Sequence, residues 1–294
     1  MIKSIEEYLD QLKAELKDSD AATVQDALAD AEEHLRVALA TLKQDQPETS
    51  EEEALGQVIE QYGSPDETAS AYKAAERLTH PVIASNSIKS QSILARFFGV
   101  YTDARAWGAL LYMLIAFVTG IIYFTWAVTG VSVSVSFLIF IFGFPIALLF
   151  LLSVRGLALL EGRLVEALLG IRMPRRPLFS HQNMKWLDRL KALVTDKATW
   201  LMILYMVIQF VLGIIYFVVL VTVLSFSLTF IALPFIQLFW NTPVVQWNDQ
   251  HIFLPYWVLV LFSFGGLILW TSFMHLVRGI GQLHGRMAKA MLVS

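Results

Sequence analysis

Few residues of this 294-residue chain stand at a spacing that could support catalysis or metal binding. Asp249 and His251 are close in sequence, but no further metal ligand lies near them. His34 lies beside Glu32 and Glu33 without a partner that would make it a general base. The sequence has no cysteine, no glycine-rich phosphate loop and no HExxH motif. We therefore expect no catalytic residue, no metal and no cofactor, and the chain is not predicted to be an enzyme.

Arginine is the residue type whose placement most favours a binding role. Arg155 and Arg163 follow one apolar run, and Arg278 and Arg286 follow another. Guanidinium groups at the ends of membrane spans reach lipid phosphates, so interfacial anchoring is the simplest interpretation. A lipid-headgroup pocket built from the four arginines is the more specific one. Further cations on the same segment favour the same anionic partners: Arg172, Arg175 and Arg176.

A second group of polar and aromatic residues lies between positions 240 and 257. Loops that are carried by rigid spans often hold ligands, so an extracytoplasmic ligand could bind here. Trp and Tyr also collect at membrane interfaces without a ligand, and we favour that interpretation. The outer-loop candidates are Trp240, Trp247, Asp249, His251 and Trp257.

Membrane-spanning helices are the elements that must position these residues. The chain is 56% hydrophobic and 16% charged, which is too apolar for an ordinary soluble protein. Four uncharged runs are long enough to cross a hydrocarbon core of about 30 Å as helices. The predicted spans are Trp107 to Val128, Val131 to Val154, Trp200 to Val223 and Pro255 to Leu276.

One further apolar stretch, Phe226 to Trp240, is too short to cross comfortably and contains Pro234. We interpret it as a continuation of the third span or a partial re-entry. Within the spans, Gln209 and His275 are the main polar exceptions. We expect Gln209 to bond across to another helix and His275 to meet headgroups or water. So few ionisable groups argue against a transporter.

The charges divide the chain into two domains. Residues 1–80 hold 19 of the 25 acidic residues and 7 of the 22 basic ones, a net charge of −12, and the remainder has a net charge of +9. We predict an all-α protein with a small cytoplasmic helical domain at 1–80, a linker at 81–92 and a four-span membrane domain at 93–294. The strongly acidic domain argues against direct nucleic-acid binding.

The acidic domain is predicted to contain four helices, because apolar residues recur at helical spacing between recognisable caps. Ser50 to Glu53 and Ser64 to Glu67 are capping boxes, and Gly63 ends the helix between them. The segment resembles the HAAS domain, a small bacterial signalling module, at Tyr8-Leu9-x-x-Leu12, Glu32-Glu33-His34-Leu35 and Tyr62-Gly63-Ser64-Pro65-Asp66-Glu67.

This resemblance implies a cytoplasmic protein partner, with a PadR-type transcriptional regulator as the specific expectation. The candidate residues of the partner surface are Glu32, Glu33, His34, Asp66 and Glu67.

The membrane domain contains an internal duplication. The repeats are predicted at about 103–170 and 196–292, each a two-span hairpin followed by a cytoplasmic-side helix. We predict that both copies point the same way, with a pseudo-twofold axis along the membrane normal. Asp103-x3-Trp107-x4-Tyr112 … Gly120-Ile-Ile-Tyr123-Phe124 returns as Asp196-x3-Trp200-x4-Tyr205 … Gly213-Ile-Ile-Tyr216-Phe217, and Arg155-Gly156-x2-Leu159-Leu160-Glu161-Gly162-Arg163 returns as Arg278-Gly279-x2-Gln282-Leu283-His284-Gly285-Arg286.

The paired hairpins, each starting with Trp and ending in Arg-Gly … Gly-Arg, resemble the sensor domain found ahead of bacterial histidine kinases. No kinase region follows Arg286, so autophosphorylation is not expected. Lys and Arg gather beside the span ends, which predicts that both termini are cytoplasmic in the cell membrane.

We predict a membrane-embedded sensor or regulatory adaptor that relays a membrane or extracytoplasmic signal to a cytoplasmic partner. Membrane lipids are the other expected partners, and a homo-oligomer is left open. The competing prediction is a non-sensing structural or accessory subunit of a membrane complex, for example beside a transporter.

Overall fold

A computed structural model describes residues 2–79, 92–137, 143–174, 186–243, 245–247 and 250–293. The described chain is helical apart from one short hairpin, which confirms the predicted all-α class. The predicted linker residues 81–91 lie outside the described residues. The N-terminal helices are α1 (Ile5–Glu15), α2 (Ala21–Asp45), α3 (Glu51–Tyr62) and α4 (Pro65–Thr79).

Side-chain caps set the ends of these helices. The backbone N–H of Glu53 donates to the Ser50 hydroxyl, and that of Glu67 donates to the Ser64 hydroxyl. Glu67 accepts in return from the backbone N–H of Ser64 at 3.0 Å, which lowers the pKa of its carboxyl group. Gly63 has φ = +107°, a conformation that glycine adopts without strain. The predicted capping box at Ser64 and Glu67 therefore forms with both bonds, and at Ser50 the hydroxyl cap of the predicted box forms.

Tyr8 lies at the centre of this domain. Its ring is fully buried, and its hydroxyl donates to the carbonyl of Gly63 at 2.9 Å and lies 3.0 Å from the Thr68 hydroxyl. The tyrosine thus ties α1 to the junction between α3 and α4. A hydroxyl that is buried and bonded in this way fixes the packing of the four helices.

The second part of the chain begins with α5 (Ile93–Phe98) and a 3-10 turn at Gly99–Thr102. Four of the described helices are long and apolar enough to cross a membrane, as predicted. The remaining elements are α6 (Ala104–Phe137), α7 (Gly143–Leu169), α8 (Trp186–Thr195), α9 (Lys197–Trp240), β1 (Val245–Trp247), β2 (Gln250–Ile252) and α10 (Tyr256–Leu292).

These four helices are longer than the predicted spans. The stretch 131–137 ends α6 instead of opening the second span, and α9 continues through Pro234 to Trp240. The segment 226–240 is therefore a continuation of the third span. Likewise α7 and α10 extend well past Val154 and Leu276, so the predicted cytoplasmic-side helices are not separate elements. A charged residue ends each apolar run in the sequence, but the helix itself continues past that residue.

Each repeat forms an antiparallel hairpin. In the first, the indole N–H of Trp126 on α6 donates to the Ser153 hydroxyl on α7 at 2.8 Å. In the second, the Gln237 side chain on α9 bonds both backbone groups of Leu254 at 2.8 and 3.0 Å. The Ser263 hydroxyl on α10 points to the backbone carbonyl of Phe230, which lies before Gln237 on α9. These contacts give both hairpins the pairing that the repeat predicted.

The two hairpins meet where α6 crosses α9. A Cβ atom on Gly120 would lie 2.8 Å from the carbonyl oxygen of Gln209, and one on Gly213 would be closer still to that of Ala116. The absence of side chains lets the two backbones approach closely. Each repeat contributes one of the two helices at the crossing, so the glycine occurs in both repeats.

Aromatic contacts show the direction of the crossing. Phe117 stacks on Phe217 with ring centres 4.4 Å apart, and Phe124 stacks on Phe210 at 4.5 Å. The partner number on α9 falls as the number on α6 rises, so these helices run in opposite directions where they touch. By the same criterion α10 runs in the same direction as α6. Tyr101, just before α6, bonds Thr271, and Tyr112 bonds His284, so the residue numbers rise together on the two sides.

The prediction that both copies point the same way is therefore not confirmed by the helix contacts. A duplication makes two segments equivalent, but a twofold axis between them can lie along the helices or across them. The direction is decided by how the glycine faces of α6 and α9 meet, which sequence spacing does not specify.

Candidate functional site: a buried polar network

Glu161 is a buried carboxylate in the middle of the helix crossing. Its side chain lies on α7 and is 1% exposed. Tyr112 and Tyr123 on α6 donate to it at 2.5 and 3.1 Å, and Tyr205 on α9 donates at 3.0 Å. The Gln209 amide adds a longer contact at 3.4 Å. Among the described residues no Lys or Arg pairs with Glu161, so neutral hydroxyl and amide groups solvate the carboxylate.

His284 on α10 completes the network from the other repeat. Its Nε2 lies 2.7 Å from the Tyr112 hydroxyl and 3.1 Å from that of Tyr205, and its Nδ1 lies 3.1 Å from the Tyr216 hydroxyl. The imidazole is 2% exposed. Glu161 and His284 thus share two tyrosines, and the network joins all four long helices.

The network has the symmetry of the duplication. Tyr112 corresponds to Tyr205 and Tyr123 to Tyr216, both 93 residues apart, while Glu161 corresponds to His284 in the Arg-Gly … Gly-Arg motif. Tyr123 bonds Glu161 just as Tyr216 bonds His284. The two repeats therefore supply the same tyrosine frame around one acidic group and one basic group.

The sequence interpretation missed this site, because it treated the spans as nearly free of ionisable groups. Glu161 lies beyond the predicted end of span two, yet α7 continues and buries it. The available signal was the alignment of the repeats, which places a carboxylate opposite an imidazole within otherwise matching motifs. For Gln209 the prediction is confirmed, because its amide donates to Tyr112 on another helix at 3.2 Å. His275 instead bonds the backbone carbonyl of Phe97 at 2.9 Å.

Two of the four predicted headgroup arginines pair with carboxylates of the opposite repeat. Arg155 bonds Asp196 at 2.5 Å and lies 3.3 Å from the Thr199 hydroxyl. Arg278 pairs with Asp103 at 3.0 Å. Each aspartate precedes the first helix of its repeat, so the two ion pairs are equivalent. They join the hairpins to each other, which the interpretation as lipid contacts did not foresee.

The other predicted cations are placed differently. Arg163 pairs with Glu166 on its own helix at 3.2 Å, and Arg286 is exposed on α10. Arg172 is partly buried after the end of α7. Arg175 and Arg176 lie outside the described residues. The structure therefore does not bring the seven arginines together into one pocket among the residues it describes.

The predicted outer-loop candidates are only partly described. Trp240 and Trp257 are 71% and 67% exposed, as interfacial anchors would be. Trp247 and His251 lie in β1 and β2, where they pair with Gln250 and Gln246. Asp249 lies outside the described residues. This part of the chain therefore adds a short antiparallel hairpin, the only strands among the described residues, to the prediction of an all-helical protein.

The prediction that Glu32 belongs to a partner surface of the N-terminal domain is wrong. Glu32 is 2% exposed and accepts from Arg36 at 3.0 Å, because position 32 falls on the face of α2 that also buries Leu35. A buried side chain cannot form a docking surface. The remaining candidates are exposed: Glu33, His34, Asp66 and Glu67.

An open cleft of about 450 Å³ lies beside two of these residues. His34 stacks on Tyr62 with ring centres 4.5 Å apart, and Tyr72 donates to Asp30 at 2.7 Å. Burial raises the pKa of Tyr62 to about 12, and burial together with Asp30 raises that of Tyr72. The cleft combines aromatic rings with carboxylates, a composition that suits a cationic side chain. Glu33 and Val37 complete its wall.

A direct ion pair links the two domains. Lys289, near the end of α10, contacts the carboxylate of Asp20, the residue that caps α2. Lys289 is five positions after His284 on the same helix. One continuous helix therefore carries both the buried imidazole and the contact with the N-terminal domain.

Comparison with known proteins confirms both resemblances. A family model described as Putative sensor matches residues 112–292, and a model described as HAAS matches residues 7–71. No curated protein and no solved structure matches the chain. The sensor match contains the whole network, all of α7, α9 and α10, and α6 from Tyr112 onward. This multi-pass membrane protein, with a HAAS-like domain at its N-terminus, belongs to the Putative sensor family.

Proposed function

We propose that this protein is a membrane sensor or regulatory adaptor in which the buried network sets the packing of the two hairpins and α10 passes that state to the HAAS-like domain. The observation that carries the proposal is the continuity of α10, which holds both His284 in the network and Lys289 against Asp20. A sensor requires two packings with different free energies. A polar network that spans four helices is an element whose packing a signal can change.

The N-terminal domain is proposed to bind a cytoplasmic protein partner, and a PadR-type regulator fits the HAAS match. The acidic and aromatic cleft at Glu33, His34 and Tyr62 supports a basic segment as the bound element, because carboxylates and rings both attract cations. Direct nucleic-acid binding is not proposed, since this domain has a net charge of −12.

The N-terminal domain and the end of α10, which contact each other, are proposed to lie on the cytoplasmic side of a bacterial cell membrane. Two observations support this placement: cations gather beside the span ends, and the last helix contacts the N-terminal domain through Lys289. α10 pairs with the start of α6 mainly after Leu276, where its predicted span ends, so the shared direction of these two stretches does not set the sides of the membrane. The exposed Arg286 and the half-exposed Arg163 are the proposed contacts with anionic lipid. No reaction is proposed.

The proposal is tested by purifying the full chain from cell membranes with its bound partner. Exchanging Glu33 and Asp66 for Lys should abolish partner recovery while membrane insertion is unchanged. The matched control exchanges Glu52, an exposed glutamate on α3. A sensor further requires that His284→Gln changes the amount of partner recovered.

The competing function is a structural subunit of a membrane complex. It predicts a partner recovered at fixed stoichiometry, whatever residue occupies position 284. That result would overturn the sensor proposal and leave the fold unaffected.

A further inference from the structure

We infer that the Glu161–His284 network is a binding site for one exchangeable proton, which Nδ1 of His284 receives. The inference rests on the proposed function and names the change that the sensor domain undergoes. The hydrogen bonds of the network determine which nitrogen and oxygen atoms carry a hydrogen.

The tyrosine hydroxyl groups fix the first proton of the imidazole. Tyr112 and Tyr205 each have one hydroxyl hydrogen, and both donate it to Glu161. Their oxygens can then only accept from Nε2 of His284, which lies 2.7 and 3.1 Å away. Nε2 therefore carries a hydrogen whenever Glu161 is ionised.

The other nitrogen of the ring is the adaptable atom. Nδ1 of His284 faces the Tyr216 hydroxyl at 3.1 Å. A neutral ring accepts the Tyr216 hydrogen at Nδ1, and a doubly protonated ring donates to the Tyr216 oxygen instead. Only the hydroxyl hydrogen has to rotate between the two states. Tyr216 is also the most exposed tyrosine of the network, at 9%.

The charge balance of the site favours uptake of one proton, and the three hydroxyl groups that donate to Glu161 favour the imidazole over the carboxylate as its acceptor. With neutral His284, the site contains one buried negative charge, and adding a proton makes it neutral. Burying a charge pair linked by hydrogen bonds costs less than burying an isolated charge. The hydroxyl of Tyr112 links the two groups, because it lies 2.5 Å from a carboxylate oxygen of Glu161 and 2.7 Å from Nε2 of His284.

Within the described part of the chain, the polar groups that bond the ring directly are neutral tyrosine hydroxyls. The titratable groups facing His284 are Tyr112 on α6, Glu161 on α7 through Tyr112, and Tyr205 and Tyr216 on α9. Other charged groups of these helices are engaged elsewhere or exposed: Arg155 pairs with Asp196, Arg163 with Glu166, Arg278 with Asp103 and Lys289 with Asp20, while Arg105, Lys197 and Arg286 are exposed.

Proton uptake reverses the direction of the hydrogen bond between His284 on α10 and Tyr216 on α9. Because Lys289 lies near the end of the same α10 helix, a change in its packing reaches Asp20 of the N-terminal domain. The ligand of this sensor core is thus a proton, delivered from water.

The test is ¹⁵N NMR of the full chain, labelled at histidine and held in lipid nanodiscs, across about pH 4 to pH 9. His284→Gln assigns the signal. We expect wild-type His284 to pass from the neutral Nε2–H form to the doubly protonated form. Glu161→Gln should weaken its proton affinity at least about tenfold, because the counter-charge is lost.

Tyr216→Phe provides a second variant if Glu161→Gln does not fold. It removes the acceptor for the second hydrogen, so proton affinity should fall again. His34→Gln is the matched control, since it removes an exposed histidine and should leave the His284 signal unchanged. Unchanged signals from the remaining histidines show that each variant is folded.

A His284 that stays neutral throughout, or that titrates identically in Glu161→Gln and Tyr216→Phe, would overturn the proton site. If partner recovery still responds to position 284 in that case, the sensor proposal stands without the proton. A normal titration combined with fixed partner stoichiometry would overturn the sensor proposal and keep the proton site.

Discussion

Tyr112 and Tyr205 are the residues on which the buried site depends most, through their hydroxyl groups. Both donate to Glu161 and both contact His284, so each solvates an acidic group and a basic group at once. In an apolar surrounding, a carboxylate without such donors would be expensive to bury. The tyrosines are duplicated because each repeat contributes one.

Replacing Tyr112 with Phe should lower the free energy of unfolding by about 1–3 kcal/mol, because Glu161 and His284 each lose a buried hydrogen bond. Denaturant titration of the full chain in detergent micelles measures the loss. Tyr256→Phe is the control, since Tyr256 is 70% exposed at the start of α10. Equal stability losses in the two variants would contradict a role for the network in stability.

A second prediction at this scale concerns alkaline pH and the N-terminal domain. Tyr62 has a pKa of about 12 in the folded state, against about 10 for a free tyrosine. The folded state therefore retains its proton more tightly, so this contribution to stability is complete below about pH 10 and is lost as pH rises through about 12. Circular dichroism of the full chain should show helix loss in that window.

Tyr62→Phe should reduce this pH dependence, because phenylalanine has no proton to lose. Tyr72 adds to the same window, since its pKa is also raised. A pH dependence that is unchanged in both phenylalanine variants would contradict the assignment.

At the scale of elements, the crossing of α6 and α9 depends on two glycines. Cβ atoms on Gly120 and Gly213 would meet backbone atoms of the opposite helix, which cannot move aside as a flexible side chain can. The same helices carry the stacked phenylalanine pairs that fix the direction of the crossing. Close backbone approach and aromatic stacking thus act together at one place.

Gly120→Ala should destabilise the membrane domain by about 1–3 kcal/mol, because the added methyl group forces the helices apart. Gly213→Ala should have the same effect, as its position is equivalent. Gly265→Ala is the control, since a Cβ there meets nothing within 4 Å. The three variants are compared by thermal unfolding in the same detergent, and a control as damaging as the test variants would contradict the crossing.

At the scale of the whole molecule, opposite charges join parts that are distant in sequence. Asp103 pairs with Arg278 and Asp196 with Arg155, so each repeat is bound to the other by an equivalent ion pair. Lys289 and Asp20 join the membrane domain to the N-terminal domain. Partly exposed ion pairs contribute little to stability, so their role is to set how the parts are placed.

Asp20→Asn should loosen the docking of the N-terminal domain while keeping α2 capped, because asparagine caps helices as well as aspartate does. Spin labels on cysteines at Val37 and Ala290, both exposed, measure the separation of the domains. The distance distribution should broaden in the variant and in high salt. Lys43→Met, which breaks the exposed pair with Glu51, is the control. An unchanged distribution in Asp20→Asn would contradict the docking contact.

The sequence by itself determined the two domains, the four long apolar helices, the capping boxes and the duplication, because these depend on local composition, spacing and backbone capping. The helical spacing of Glu32 and Leu35 on α2 indicates that Glu32 is buried, whereas its acidic side chain favours an exposed partner surface, and the burial decides the outcome. Only the tertiary structure decided the sense in which the hairpins cross and the pairing of arginines with aspartates of the opposite repeat. It alone also assembled Glu161, His284 and their tyrosines, since these contacts join four helices whose relative placement depends on how their faces pack.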